Sequence, residues 1–198
     1  MTSWSPEVIW SDFDPRSVEL DVRVMDSWDD SDGRYQALYF TSHTVEGKEI
    51  RAFAFLGIPL GDDPAPGILH IHGGSQTAYL HHVRYWVKRG YVALSFDWTG
   101  PRADRQYVTN WAGLSRVTPT VRPTPASDFI IHRVKLARRA LTLLERHPRV
   151  VKERLGVYGV SWGGYLTWIV NGTDERVRVA ASLYGGCGPY RAGHQRQP

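Results

Sequence analysis

The sequence holds a single cysteine, Cys187, which excludes an internal disulfide and any metal site built from several thiolates. Lysine is scarce as well, with four against twenty arginines, and the formal net charge is only +4. Those basic residues are scattered, so no electrostatic stripe of the kind that tracks nucleic acid is present. No apolar run approaches the ~20 residues that cross a bilayer. The opening "MTSWSPEVIWSDFDPRSVEL" has neither the basic head nor the apolar stretch of a signal peptide. No glycine-rich phosphate loop follows a strand, which removes support for nucleotide binding. These absences lead to the expectation of a cytoplasmic protein with no nucleic-acid or membrane partner, no cofactor and no metal. They set no oligomeric state.

What is present is enough apolar sequence for a core. With 198 residues, 42% of them hydrophobic, the chain is one domain or part of a larger one. Residues 1–32 are acidic and dotted with Trp, and read as an N-terminal arm with a strand at Val18–Val24. From 33 to 198 the pattern is that of an α/β domain. Two alternating runs, Tyr35–Thr41 and Ile50–Leu56, joined through Glu46-Gly47, predict an antiparallel hairpin. "GILHIHGG", "YVALSFDWTG", "RLGVYGVS" and "VRVAASLYGG" read as buried strands. Between them, apolar residues at 79, 83, 86 and 87 predict a helix closed by Gly90. A second helix is expected from about Asp128 to His147, stopped by Pro148, and a third over "WGGYLTWIVNG". Residues 99–125, rich in Pro and Thr, read as a long loop. A hairpin followed by β-α-β-α-β-α-β predicts a mostly parallel sheet with helices on both faces.

The stretch "VYGVSWGGY" places Ser161 between Gly159 and Gly163, after a buried strand and at the start of a helix. A nucleophile elbow sits at such a junction, because the sharp turn lifts the hydroxyl above the sheet and glycines let neighbouring backbone pass close. "HIHGGS" ends an earlier parallel strand and therefore emerges at the same edge of the sheet. Its amide hydrogens, with the N–H after the serine, suit an oxyanion hole: Gly74 and Trp162, with Ser75 as the alternative to Gly74. His72 reads as a residue that orders this loop. Trp162 could also wall an acyl pocket.

"HIHGGSQTA", "GYVALSFDWTG" and "LGVYGVSWGGYLTWIVNGTDERVRVAASLYGG" resemble the α/β-hydrolase superfamily, within it the acetylxylan esterase, dienelactone hydrolase and prolyl-oligopeptidase-like branch. The resemblance covers about residues 35–188. It implies a serine hydrolase acting on a small-molecule ester through Ser161 and an acyl-enzyme. A serine peptidase of the prolyl-oligopeptidase type, or an inactive hydrolase-like binding module, are the alternatives. In that superfamily an acid and then a histidine follow the nucleophile on later strands. Downstream of Ser161 this sequence has only Asp174, Glu175 and His194. A helix of some ten residues carries the chain ~15 Å back across the sheet, which puts Asp174 and Glu175 at the wrong end. The expectation is therefore an amino-terminal portion, truncated before the last strands, whose acid and histidine lie outside it. Asp97 is expected to be structural. Arg133, Arg138 and Arg139 read as the solvated face of a helix. His81 and His82 are expected to point apart, and His70 and His72, on one face of a strand, lack a third metal ligand.

Overall fold

A computed structural model describes residues 5–113 and 128–186. In chain order the elements are α1 (Pro6–Trp10), β1 (Arg23–Asp29), β2 (Gly33–Val45), β3 (Lys48–Pro59), β4 (Ala65–Ile71), α2 (Leu80–Val87) and β5 (Val92–Phe96), followed by α3 (Phe129–Arg146), β6 (Val150–Val160), α4 (Trp162–Thr173) and β7 (Val177–Leu183). They build one seven-stranded sheet in the order β1-β2-β3-β5-β4-β6-β7. The β1/β2, β2/β3 and β3/β5 ladders are antiparallel, and β5/β4, β4/β6 and β6/β7 are parallel. Only β1 and β3 run against the other five strands, so the sheet is mixed with a parallel block around β4.

Each part of this order has a local cause. Glu46 (φ 49°) and Gly47 (φ 74°) both take the left-handed conformation that a two-residue hairpin turn requires, and Val45 pairs with Lys48 across it. β4, β5 and the Leu155–Gly159 part of β6 are buried on both sides, which is why their sequences read as near-continuous apolar runs. On one face Leu69, Ile71, Leu94, Phe96 and Val157 pack against Val134, Ala137, Leu141 and Leu144 of α3 and Leu166 and Val170 of α4. Each of the Val, Leu, Ile and Phe side chains among them contributes about 1.5–3 kcal/mol by leaving water. On the other face Ile68, Ala93 and Tyr158 meet Val83 and Val87 of α2. Helices thus cover both faces. The Asp128 carboxylate caps α3 by accepting from the Ile130 N–H at 2.8 Å.

Three expectations need correction. The strand expected at Val18–Val24 lies at Arg23–Asp29. Its residues are nearly all exposed on the sheet edge, so no apolar alternation marks it. β6 begins at Val150 rather than near Arg154, because Ala65 of β4 pairs with Val150. The arginines of α3 are not a solvated face. Arg139 is 1% exposed and donates to the carbonyls of Thr41, Pro15 and Glu19. Burial draws its pKa down to about 10, so it stays charged at neutral pH and binds the segment before β1 to α3. Arg138 lies 3.4 Å from the buried Asp174. The expected loop over 99–125 is described only as far as residue 113, and Cys187 and His194 lie outside the described residues.

Candidate active site at the carboxyl edge of the sheet

β6 ends at Val160 and α4 starts at Trp162, leaving Ser161 alone in the turn. Its backbone sits at φ 55°, ψ −120°, outside every region an L-residue populates comfortably. Ser161 is exposed, and its N–H is fixed by the Leu183 carbonyl of β7 at 2.8 Å. Such a conformation costs ~1–3 kcal/mol and persists only where its surroundings over-determine it. Two glycines supply those surroundings. A Cβ on Gly163 would run into the Ile71 carbonyl, and one on Gly164 would come within 2.7 Å of the Leu183 carbonyl. The turn is therefore clamped between the ends of β4 and β7.

The loop after β4 reaches the same place. A Cβ on Gly73 would lie 3.2 Å from the Val160 carbonyl, and one on Gly74 would lie 2.8 Å from Cδ1 of Trp162. Gly74 and Trp162 are thus brought together beside Ser161. The Gly73 N–H donates to Gln76 Oε1 at 2.8 Å. Ser75 takes a left-handed φ of 58°, and Arg102 Nη1 donates to its carbonyl at 2.6 Å. Trp162 is the first residue of α4, so its N–H has no carbonyl one turn earlier to bond within the helix.

His72 and Asp97 anchor this loop. His72 is fully buried and stacks on Trp98 with ring centroids 4.8 Å apart. Its Nε2 accepts from the Trp98 N–H at 3.1 Å, which fixes the proton on Nδ1, where it is donated to the Gly73 carbonyl at 2.7 Å. The Asp97 carboxylate accepts from the N–H groups of Thr99, Gly100 and Thr109. Burial raises the Asp97 pKa, but the hydrogen bonds it accepts from the Thr109 N–H and the Thr99 hydroxyl outweigh it and hold the carboxyl below its usual range. Both residues are occupied in holding backbone.

The other described histidines lie elsewhere. His43 and His132 share a contact of 3.0 Å between β2 and α3, and the ring of His147 accepts from the Arg149 N–H at the end of α3. His70 and His82 stack at 4.0 Å beneath Tyr158, and His81 lies 4.3 Å from His82. The neighbouring rings of His81 and His82 therefore converge, against expectation, because His82 turns inward to meet Tyr158. Asp174 is spent on Arg176 at 2.6 Å, at the opposite end of α4 from Ser161. Among the described residues no group of His, Cys, Asp and Glu could hold a metal ion, and no helix is long and apolar enough to cross a membrane.

Beside Gly74 and Trp162 opens a cleft of ≈ 450 Å³, lined also by Ser75, Trp98, Arg102, Phe129 and Arg133. The Arg133 guanidinium lies 4.4 Å from the Trp98 ring centre and 4.3 Å from that of Phe129. Sequence reading missed Arg133 because its spacing on the helix does not show what lies above the sheet.

A mixed sheet with this helix arrangement is that of the α/β-hydrolase-type esterases. More narrowly, the chain belongs to the acetyl xylan esterase (AXE1) family, whose model matches residues 15–196. The fold is similar to that of acetyl xylan esterase 1 from Thermoanaerobacterium sp. JW/SL YS485, with 22% identity and a TM-score of 0.69 over 84% of this chain and 53% of that one. It is similar to an acetyl xylan esterase from Paenibacillus sp. R4, with 20% identity and a TM-score of 0.68 over 85% of this chain and 54% of that one. A glucuronoyl esterase from Solibacter usitatus has 16% identity and a TM-score of 0.59, over 84% of this chain and 52% of that one. The chain thus spans about half the length of these solved structures. No curated protein matches it.

Proposed function

We propose that this chain is the nucleophile-bearing portion of a carboxylic ester hydrolase of the deacetylase type. Ser161 Oγ attacks the acyl carbon of a small-molecule ester while a histidine base takes its proton. The oxyanion that forms is held by the N–H groups of Gly74 and Trp162, and the positive end of α4 adds to that field. The alcohol departs with the proton returned by the histidine, and water then releases the acid from the acyl-enzyme. The base and its acid come from outside the described residues, because every described histidine is engaged elsewhere. One observation carries the reading: an exposed serine held at φ 55°, ψ −120° between a strand and a helix. A hydroxyl needs no such strain unless it is being presented.

The test is labelling of the protein made from the whole open reading frame with a fluorophosphonate probe. Labelling that disappears in Ser161→Ala is expected. Labelling that survives the substitution assigns the wrong serine, and a wild-type protein that stays unlabelled is the behaviour of an inert binding module. A reading frame that stops directly after Pro198 would refute the external acid and histidine.

A further inference from the structure

The Gly74 amide sits in a loop whose direction is set by side chains rather than by a strand or a helix. Its N–H and the Gly73 carbonyl are the two ends of one planar trans peptide, so they point opposite ways. His72 Nδ1 donates to that carbonyl at 2.7 Å and holds one end of the unit. A carbonyl that accepts a hydrogen bond also leaves the amide hydrogen of the same peptide more strongly polarised. The peptide on the other side of the Gly73 Cα is held by Gln76, whose Oε1 accepts from the Gly73 N–H at 2.8 Å. Glycine turns about the two bonds between these peptides at little steric cost, so the Gly74 N–H keeps one direction only when both peptides are fixed. A Cβ on Gly73 would lie 2.9 Å from Gln76 Oε1, a contact that glycine alone admits.

Gln76 is itself fastened. Its carbonyl accepts from the Thr99 hydroxyl at 2.6 Å and from Arg105 Nη1 at 2.8 Å. Ser75, at φ 58°, reverses the chain so that the side chain of residue 76 reaches back to the amide of residue 73. Arg102 Nη1 braces that reversal through the Ser75 carbonyl at 2.6 Å. The Gly74 N–H, by contrast, donates to no backbone carbonyl of the described residues. We propose that Gln76 is a positioning residue for the oxyanion donor: by holding the Gly73 N–H it fixes the direction of the Gly74 N–H. The inference rests on the hydrolase reading for the oxyanion, and on the loop geometry alone for the direction.

The experiment measures hydrolysis of p-nitrophenyl acetate by the protein made from the whole open reading frame. Gln76→Met keeps the length of the side chain and removes the acceptor. Its kcat is expected to fall about tenfold, with KM within about twofold of the parent, because the donor is misdirected rather than deleted. Gln76→Glu keeps an oxygen in reach of the Gly73 N–H and is expected to recover kcat to within about threefold of the parent. Gln106→Met, an exposed glutamine further along the chain, is the control and is expected to change neither constant. A merely structural Gln76 would lower the Tm or raise KM at unchanged kcat, and that result overturns the proposal. So does a Gln76→Glu variant as slow as Gln76→Met. Should Gln76→Met fail to fold, Gln76→Asn, whose acceptor falls one methylene short, takes its place with the same expectation. Where the fluorophosphonate probe labels Ser161 but the ester is not turned over, the labelling rate is read in place of kcat. A parent protein inert to ester and probe removes the hydrolase reading and this inference with it. A parent that reacts, with Gln76→Met reacting equally fast, sinks this inference alone.

Discussion

Replacing Ser161 by glycine should make the protein more stable while abolishing its proposed chemistry. Serine at φ 55° pays for a Cβ that crowds its own backbone, about 1–2 kcal/mol for an L-residue in the left-handed half of the map. The ψ of −120° lies well away from the left-handed helical minimum near +45°, which places the cost toward the upper end. Glycine escapes that strain but loses roughly 0.5–1 kcal/mol through the greater freedom of its unfolded chain. The net expectation is a gain of about 1 kcal/mol, or ~2–4 °C in Tm for a chain of this length. Ser161→Ala is the control. It keeps the Cβ and the strain, loses only an exposed hydroxyl, and should stay within about 0.5 kcal/mol of the parent. Urea unfolding followed by circular dichroism resolves the difference, provided the m-value is unchanged. A glycine variant no more stable than the alanine variant would show that the turn stores no strain, and the elbow would lose its physical basis.

Two further outcomes follow from buried charge. Burial, aided by the neighbouring His132, Lys135 and Arg139, lowers the His43 pKa to about 3 in the folded state, against ~6.5 unfolded. The folded-state value is depressed, so the stability of the neutral form is complete above pH ~6.5 and drains away as pH falls toward 3, by up to ~1.4 kcal/mol per pH unit. His43→Gln should make the fall in urea midpoint between pH 7 and pH 5 shallower by about one proton, and an unchanged slope would refute the assignment. Arg139→Met leaves the carbonyls of Glu19 and Thr41 without their buried donor and that of Pro15 with the Thr142 hydroxyl alone, and should cost ~3 kcal/mol or more. Limited proteolysis should then cut first within residues 15–22, and resistance there would argue that other contacts hold this segment.

The legible parts of this fold are those whose cause is local. Glu46-Gly47 specified its hairpin turn, Pro148 the end of α3, and the apolar runs of β4, β5 and β6 their burial. Ser161 and the glycines around it were equally readable, because strand, turn and helix follow one another within nine residues. Tertiary decisions were not readable. β1 has no apolar signature because it borrows its register from β2. Arg139 looks like any helix-surface arginine until the segment around Pro15 and Glu19 closes over it. His82 departs from its neighbour's expected direction because it meets the Tyr158 hydroxyl of β6. Arg133 meets three rings contributed by the β5 loop, the start of α3 and the start of α4, which its spacing on the helix does not reveal.

The Leu183 carbonyl that receives the Ser161 amide belongs to β7, the last strand of the sheet order among the described residues. The placement of Ser161 therefore depends on β7 staying paired with β6, and a local opening of that pair would release the turn. Deuterium uptake at the amide of residue 161 consequently reports how well β7 is laced to the turn, and whatever steadies β7 also steadies Ser161.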